Sequence, residues 1–418
     1  MLRRSIEECV RQSRPLRNCN AMISLARYVA LLEPREMREV FAASVIGRLP
    51  IGITGLAILI LVQSASGSFA QGGATTGSYV AGLAALAPVL GRLIDRHGPR
   101  RVLTACGILF PTALCALVAG VSHDLPAWLL FALAAAAGAT FPPITVCMRT
   151  LLKRRLGEEA LLSTAYSLES VLIEMIFIVG PMLVALLVAV ASPNVAVLAA
   201  AGCGCIGTLL FLRLPALRAW HVEPTMTRHL LGALAEPGFV PLIGVILCYS
   251  IAFGLTEIGL TAYAAEAGRP ALAGVLLGLM SVGSALGGLA YGSRGWHAPL
   301  ARQFAVTLAL MGAGLALLVL PWEPWLFALW SVLAGVVMAP ALIIQSMLVA
   351  RTSRAEHSTE AFTWSASALL SGIGIGLTAG GGLLEVFRSA APLAAAAAAA
   401  SLGALVARLA LRGASGRL

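Results

Sequence analysis

The chain has 418 residues, of which 59% are apolar and only 11% charged, with a formal net charge of +10. Soluble domains carry roughly a quarter charged residues, so this composition excludes a water-soluble enzyme or binding module and puts the chain in a bilayer. The positive excess does not point to nucleic acid, because the basic stretches lack the interleaved aromatic side chains on which bases stack.

Residues 1–36 read as a tail on the cytoplasmic side. The first twenty, MLRRSIEECVRQSRPLRNCN, contain no apolar stretch for a cleavable signal. ISLARYVALLE, 23–33, predicts a short amphipathic helix lying along the membrane surface until Pro34 breaks it. Apolar runs long enough to cross about 30 Å of hydrocarbon then follow at 40–63, 74–93, 102–122, 126–148, 161–190, 194–212, 238–262, 271–291, 299–320, 324–349, 361–386 and 390–411. In lipid no water satisfies the backbone, so each run must be a helix. The expected fold class is an all-α integral membrane protein with twelve transmembrane helices. The longest connector, 214–237, divides it into six-helix bundles at 37–213 and 238–418.

Orientation follows from the basic residues, which short cytoplasmic segments retain. Of the 29 Lys and Arg, all but Arg48, Arg269 and Arg388 fall in the tails or in alternate connections on one side. Both termini are therefore expected in the cytoplasm, with the chain integral to the cytoplasmic membrane. The halves also repeat. GATFPP at 138 matches GVVMAP at 335, GRLIDRHG at 91 overlays GGLAYGSR at 287, and STAYSL at 163 overlays TEAFTW at 359. The offsets are 197, 196 and 196 residues (335 − 138, 287 − 91, 359 − 163). Parallel six-helix repeats are a transporter architecture with the substrate site between the halves.

GRLIDRHGPRRVL, 91–103, concentrates charge in the short connection after the second run. Gly91, Asp95, Arg96, Gly98 and Arg100 in the pattern Gly-x-Leu-x-Asp-Arg-x-Gly-x-Arg resemble the signature loop of the major facilitator superfamily, with Pro99 in place of a usual basic residue. The resemblance implies a latch between the halves, made on the cytoplasmic side when the carrier opens outward. Gly91 allows close helix approach, Gly98 a sharp turn, and Asp95 can accept from a helix N-terminus or an arginine. IFIVGPMLVA, around Gly180 and Pro181, partly resembles the antiporter signature of the fifth helix, where the proline would kink the helix. Ala134 stands where drug antiporters carry an arginine.

Ionisable groups deep in a span are costly and point to function. Arg48 and Glu169 each lie about 12 Å into their spans at 1.5 Å per residue, and Glu174 five residues deeper. The first and fifth helices are neighbours in the family architecture, so Arg48 is expected to pair with Glu169 or Glu174, and Glu174 to carry a proton. A static salt bridge is the plain alternative. Glu257 and Glu385 lie near the far surface. Proline pairs at 142–143 and Pro340 are read near the cytoplasmic ends of their spans. The glycine runs 283–288 and 372–382 are read as close-packing seams facing the other half.

No glycine-rich phosphate loop indicates an ATP-driven machine, and no metal or cofactor set is visible. The expected function is a secondary carrier exporting a small amphipathic compound in exchange for protons. The alternatives are uptake of a small anionic or polar metabolite, with Arg48 as its ligand, and a non-transporting receptor or scaffold. The expected partners are a small-molecule substrate, protons and the lipid bilayer, with the chain acting as a monomer and no nucleic acid bound.

Overall fold

A computed structural model describes residues 25–218, 220, 232–236, 238–269, 272–296, 298–320, 323–384 and 386–410. Most of the tail and linker, and Glu385, lie outside the described residues. Among those described, 12 helical spans are long and apolar enough to cross a membrane. Spans 1 to 6 are Arg35–Ser66, Gln71–His97, Pro99–Ser122, Ala127–Arg155, Glu159–Val190 and Pro193–Arg213. Spans 7 to 12 are Phe239–Glu266, Leu272–Gly292, Leu300–Leu317, Pro324–Thr352, Ala355–Leu384 and Ala390–Ala410. Their outward faces carry large apolar side chains, with Met182 and Trp325 each 68% exposed, as suits a lipid rather than a water surface.

Local chemistry sets many of the helix ends. Ser68 and Ser192 cap the helices that follow them by accepting from Gln71 N and Val195 N. Pro99, Pro193 and Pro324 occupy first-turn positions where a missing N–H costs nothing. Gly98, with φ of 83°, makes the turn between spans 2 and 3. Span 1 starts at Arg35, ahead of the residue 40 expected from hydropathy, because backbone hydrogen bonding continues past the apolar segment. The prolines are a correction. Pro142 and Pro143 interrupt span 4 midway, between helices Ala127–Ala139 and Ile144–Arg155. Pro340 lies midway in span 10, in the first turn of its second helix, Met338–Thr352. In span 4 hydropathy misplaces the pair because the basic second helix looks like a loop.

On the face that carries the basic connections, one apolar core runs through both sets of six spans, including Phe41, Tyr166, Tyr249 and Phe362. On the opposite side the first set keeps a separate core built on Ile53, Phe110, Ala137 and Val197. Two seams join the sets: span 2 against span 11, and span 5 against span 8. Tyr166 and Phe362, related by the repeat offset (362 − 166 = 196), pack edge to face with ring centroids 6.3 Å apart. The glycine runs behave otherwise than expected. A side chain at Gly372 or Gly376 would strike span 7, at Ser250 or Ile251, and one at Gly283 or Gly287 would strike Val332 or Val336 of span 10. These runs pack mainly inside their own half, and across the second seam the 283–288 run contributes Gly288 O, which accepts from Ser167 Oγ at 2.5 Å.

The short helix Leu25–Leu32 buries Tyr28 and Leu31. It does more than lie on the surface. Tyr28 reaches across the second seam, with its hydroxyl 2.8 Å from Ser167 Oγ on span 5 and donating to Leu289 O on span 8 at 3.0 Å.

Candidate functional site

Three charged side chains meet inside the first half. Arg48 of span 1 is 1% exposed and Glu169 of span 5 is fully buried. Arg48 Nη2 lies 3.2 Å from Glu169 Oε1, and Arg149 of span 4 donates through Nε to both Glu169 oxygens at 2.9 and 3.0 Å. Arg48 also directs Nη2 at Met148 Sδ, 2.8 Å away, while its Nε and Nη1 have no hydrogen-bond partner among the described residues. Two guanidiniums therefore face one carboxylate, a net positive charge out of water. Glu174 is not part of this cluster. It accepts from Ser284 Oγ of span 8 at 2.8 Å, across the second seam.

Arg149 was hidden by its neighbours. With Lys153, Arg154 and Arg155 it reads as a topology-setting basic connection, yet its side chain is only 13% exposed and its helix runs to Arg155. The repeat held the missing signal. Offsetting Arg149 by 196 gives Gln345, and offsetting Glu169 gives Ser365 (345 − 149 = 365 − 169 = 196). Gln345 Nε2 donates to Ser365 Oγ at 2.6 Å, and the Tyr249 hydroxyl donates to Gln345 Oε1. Each half thus holds a buried polar cluster from equivalent positions on its fourth and fifth helices, charged in the first half and neutral in the second.

The signature loop lies at the other seam. Asp95 Oδ1 and Oδ2 accept from the backbone N–H groups of Thr359 and Glu360 at 3.2 and 2.7 Å, at the start of helix Ser358–Leu384 in span 11. A carboxylate at a helix N-terminus meets unpaired donors and the positive end of the helix dipole. Arg92 donates Nε and Nη2 to Glu360 Oε1 at 3.2 and 2.6 Å. Sequence reasoning passed over Glu360, which is 2% exposed, because it falls one residue outside the apolar run. Gly91 abuts Thr363 and Glu360, where any side chain would collide. Arg96 and Arg100 are exposed and make no side-chain hydrogen bond to a described residue. Nearby, Lys153 Nζ donates to Ser353 O at 2.6 Å and Arg351 pairs with Glu159, so the start of span 5 and the end of span 4 are tied to the end of span 10 on the basic face.

The helix of span 5 runs unbroken through Gly180 and Pro181. Gly180 lies against the backbone of Gly52 on span 1, leaving no room there for a side chain. Glu257 is exposed on span 7.

A sequence profile of the Major Facilitator Superfamily matches residues 40–322. The chain belongs to that superfamily. No curated protein sequence matches the transporter significantly. Its fold is similar to that of a bacterial homologue of the iron transporter ferroportin in an outward-facing state, with 16% identity and a TM-score of 0.74, covering 90% of this chain and 99% of the other. The human organic anion transporter MFSD10 (TETRAN) aligns at 19% identity and a TM-score of 0.71, over 90% of this chain and 100% of the other. The Escherichia coli fucose:proton symporter FucP aligns at 12% and 0.69, over 88% and 97%. At these identities the likeness establishes the fold alone.

The Asp95 contacts carry a prediction. Hydrogen bonds to a charged group contribute about 1.5–3 kcal/mol, so Asp95→Asn is expected to shift the equilibrium away from the closed basic face by roughly ten- to a hundredfold. Spin-label distances between the ends of spans 2 and 11 measure this. Unchanged distance distributions would mean that the contact only accompanies closure.

Proposed function

We propose that this transporter exports a small amphipathic compound across the cytoplasmic membrane in exchange for protons, acting as a monomer with both termini in the cytoplasm. One observation carries the proton coupling. Glu174, 15 residues into the 32-residue helix of span 5, has its hydrogen-bond partners, Ser284 and Ser281, on the opposite half and no ion pair with a described residue. A carboxyl group that meets a hydroxyl in one state and water in the other exchanges its proton as the halves rock. Glu169 is held by two arginines and serves the packing of the first half. The basic face, tied by Asp95, Lys153 and Arg351, is the cytoplasmic gate in its closed form. The partial antiporter likeness around Gly180 and Pro181 favours export of an amphipathic substrate.

A second reading rests on the unequal charge of the Arg48, Arg149 and Glu169 cluster and on Arg48 Nε and Nη1, which have no partner among the described residues. These suit a carboxylate substrate taken up with protons. Purified protein in vesicles carrying an interior pH dye distinguishes the readings. Under export by exchange, an amphipathic compound from a substrate panel collapses an imposed proton gradient as it moves against the proton flow. Co-movement of a carboxylate with protons favours uptake, and no flux of any compound favours a receptor or scaffold.

A further inference from the structure

A groove of about 520 Å³ runs between spans 2 and 11. Ala81, Ala85, Val89 and Arg92 line one wall, at spacings that keep them on one stripe of the helix, and Trp364 and Ser371 line the other. Phe362 shows which way the groove opens. It is buried in the seam against Tyr166 of span 5, and Trp364 lies two positions, about 200°, round the same helix. The groove therefore faces away from the interior of the molecule, toward lipid, and Val89 on its wall is 52% exposed.

Its length and ends are informative. From Ala81 to Arg92 the helix rises about 16 Å, close to half of the roughly 30 Å hydrocarbon thickness. The groove thus spans the depth of one leaflet. Its walls are small or apolar until the basic end, where Arg92 is 36% exposed and its Nη1 bonds no described residue. Arg96 is exposed one turn further along, and Arg100 and Arg101 are exposed at the start of span 3. Four arginines there stand against Asp95 and Glu360. Trp364 Nε1 lies 3.4 Å from Glu360 Oε1, at the level where tryptophan favours the headgroup boundary.

We propose that this groove binds an anionic glycerophospholipid from the leaflet on the basic side. One acyl chain lies along Ala81, Ala85 and Val89, and the phosphate meets Arg92 and Arg96. Guanidinium groups match phosphate oxygens in geometry and charge, and basic side chains at a membrane surface attract acidic lipids. The assignment does not depend on the transported substrate or its direction.

Tryptophan quenching by brominated lipid tests it on the full-length protein. The protein is reconstituted in phosphatidylcholine vesicles doped with either brominated phosphatidylglycerol or brominated phosphatidylcholine. The Trp364 signal is the difference between wild type and Trp364→Phe. Half-maximal quenching by the anionic lipid is expected at about fivefold lower mole fraction than by the neutral one, the effect of roughly one arginine. Arg96→Gln, which breaks no hydrogen bond or ion pair with a described residue, is expected to remove most of that preference, and Ala85→Leu to weaken quenching by both lipids. Equal quenching by the two lipids would indicate unselective boundary lipid and overturn the proposal. So would a preference untouched by both substitutions, or no quenching by either lipid.

Discussion

Glu169→Gln is expected to be the most destabilising single change in the transporter, at about 3–5 kcal/mol. The wild-type carboxylate, fully buried, accepts from Arg149 through both oxygens and lies 3.2 Å from Arg48. Without its charge two buried guanidiniums face each other with no anion between them. Arg48→Met should cost far less, because it leaves Arg149 and Glu169 as a balanced pair. It also removes two nitrogens that have no partner among the described residues. Apparent melting temperatures of the purified variants in one detergent compare the two directly. Equal losses would show that charge balance does not govern the cluster and that both side chains act only as packing.

Glu174→Gln is expected to abolish coupling to protons while leaving substrate binding in place. For one-for-one exchange a gradient of one pH unit is worth about 1.4 kcal/mol, about tenfold in the substrate ratio it can sustain. The variant should sustain no such ratio yet still equilibrate substrate across the vesicle membrane. Ser284→Ala is the control. It removes one of the two span 8 hydroxyls, Ser284 and Ser281, that face Glu174 and is expected to slow transport while keeping its response to the gradient. If Glu174→Gln still concentrates substrate in proportion to the imposed gradient, the proton travels by another group.

These two carboxylates show how far the chain could be read. Both announce themselves in the sequence as charges in apolar runs, and Arg48 does so equally. Their separate partners do not. Glu169 and Glu174 are five residues, about 140°, apart round the helix, so one turns into the first half and the other toward span 8. Depth alone left Arg48 free to pair with either. Arg149 was obscured for the opposite reason. It belongs to a basic segment whose helix continues after the lipid ends, and hydropathy cannot separate a helix leaving the membrane from a loop. Glu360 sits at the same kind of boundary on span 11. The repeat offset could have recovered Arg149, since its counterpart Gln345 lies inside an apolar run.

The glycine runs teach a similar lesson. Small residues mark where helices approach closely, but the same spacing serves a contact within a half or between halves. Which neighbour arrives is decided by the assembly of the spans.

By itself, then, the sequence determined the solvent, the helical class, the number of crossings and the family's signature motif. Each follows from local chemistry: apolar length against bilayer thickness, obligatory backbone hydrogen bonding in lipid, and a motif confined to one short connection. Only the tertiary structure decided that Arg149 joins Arg48 on Glu169, that Asp95 meets the start of span 11, and that Glu174 finds its partner on the other half. Such pairings join residues up to 265 positions apart, and they depend on helix rotation and tilt, which packing against neighbours sets and hydropathy does not encode.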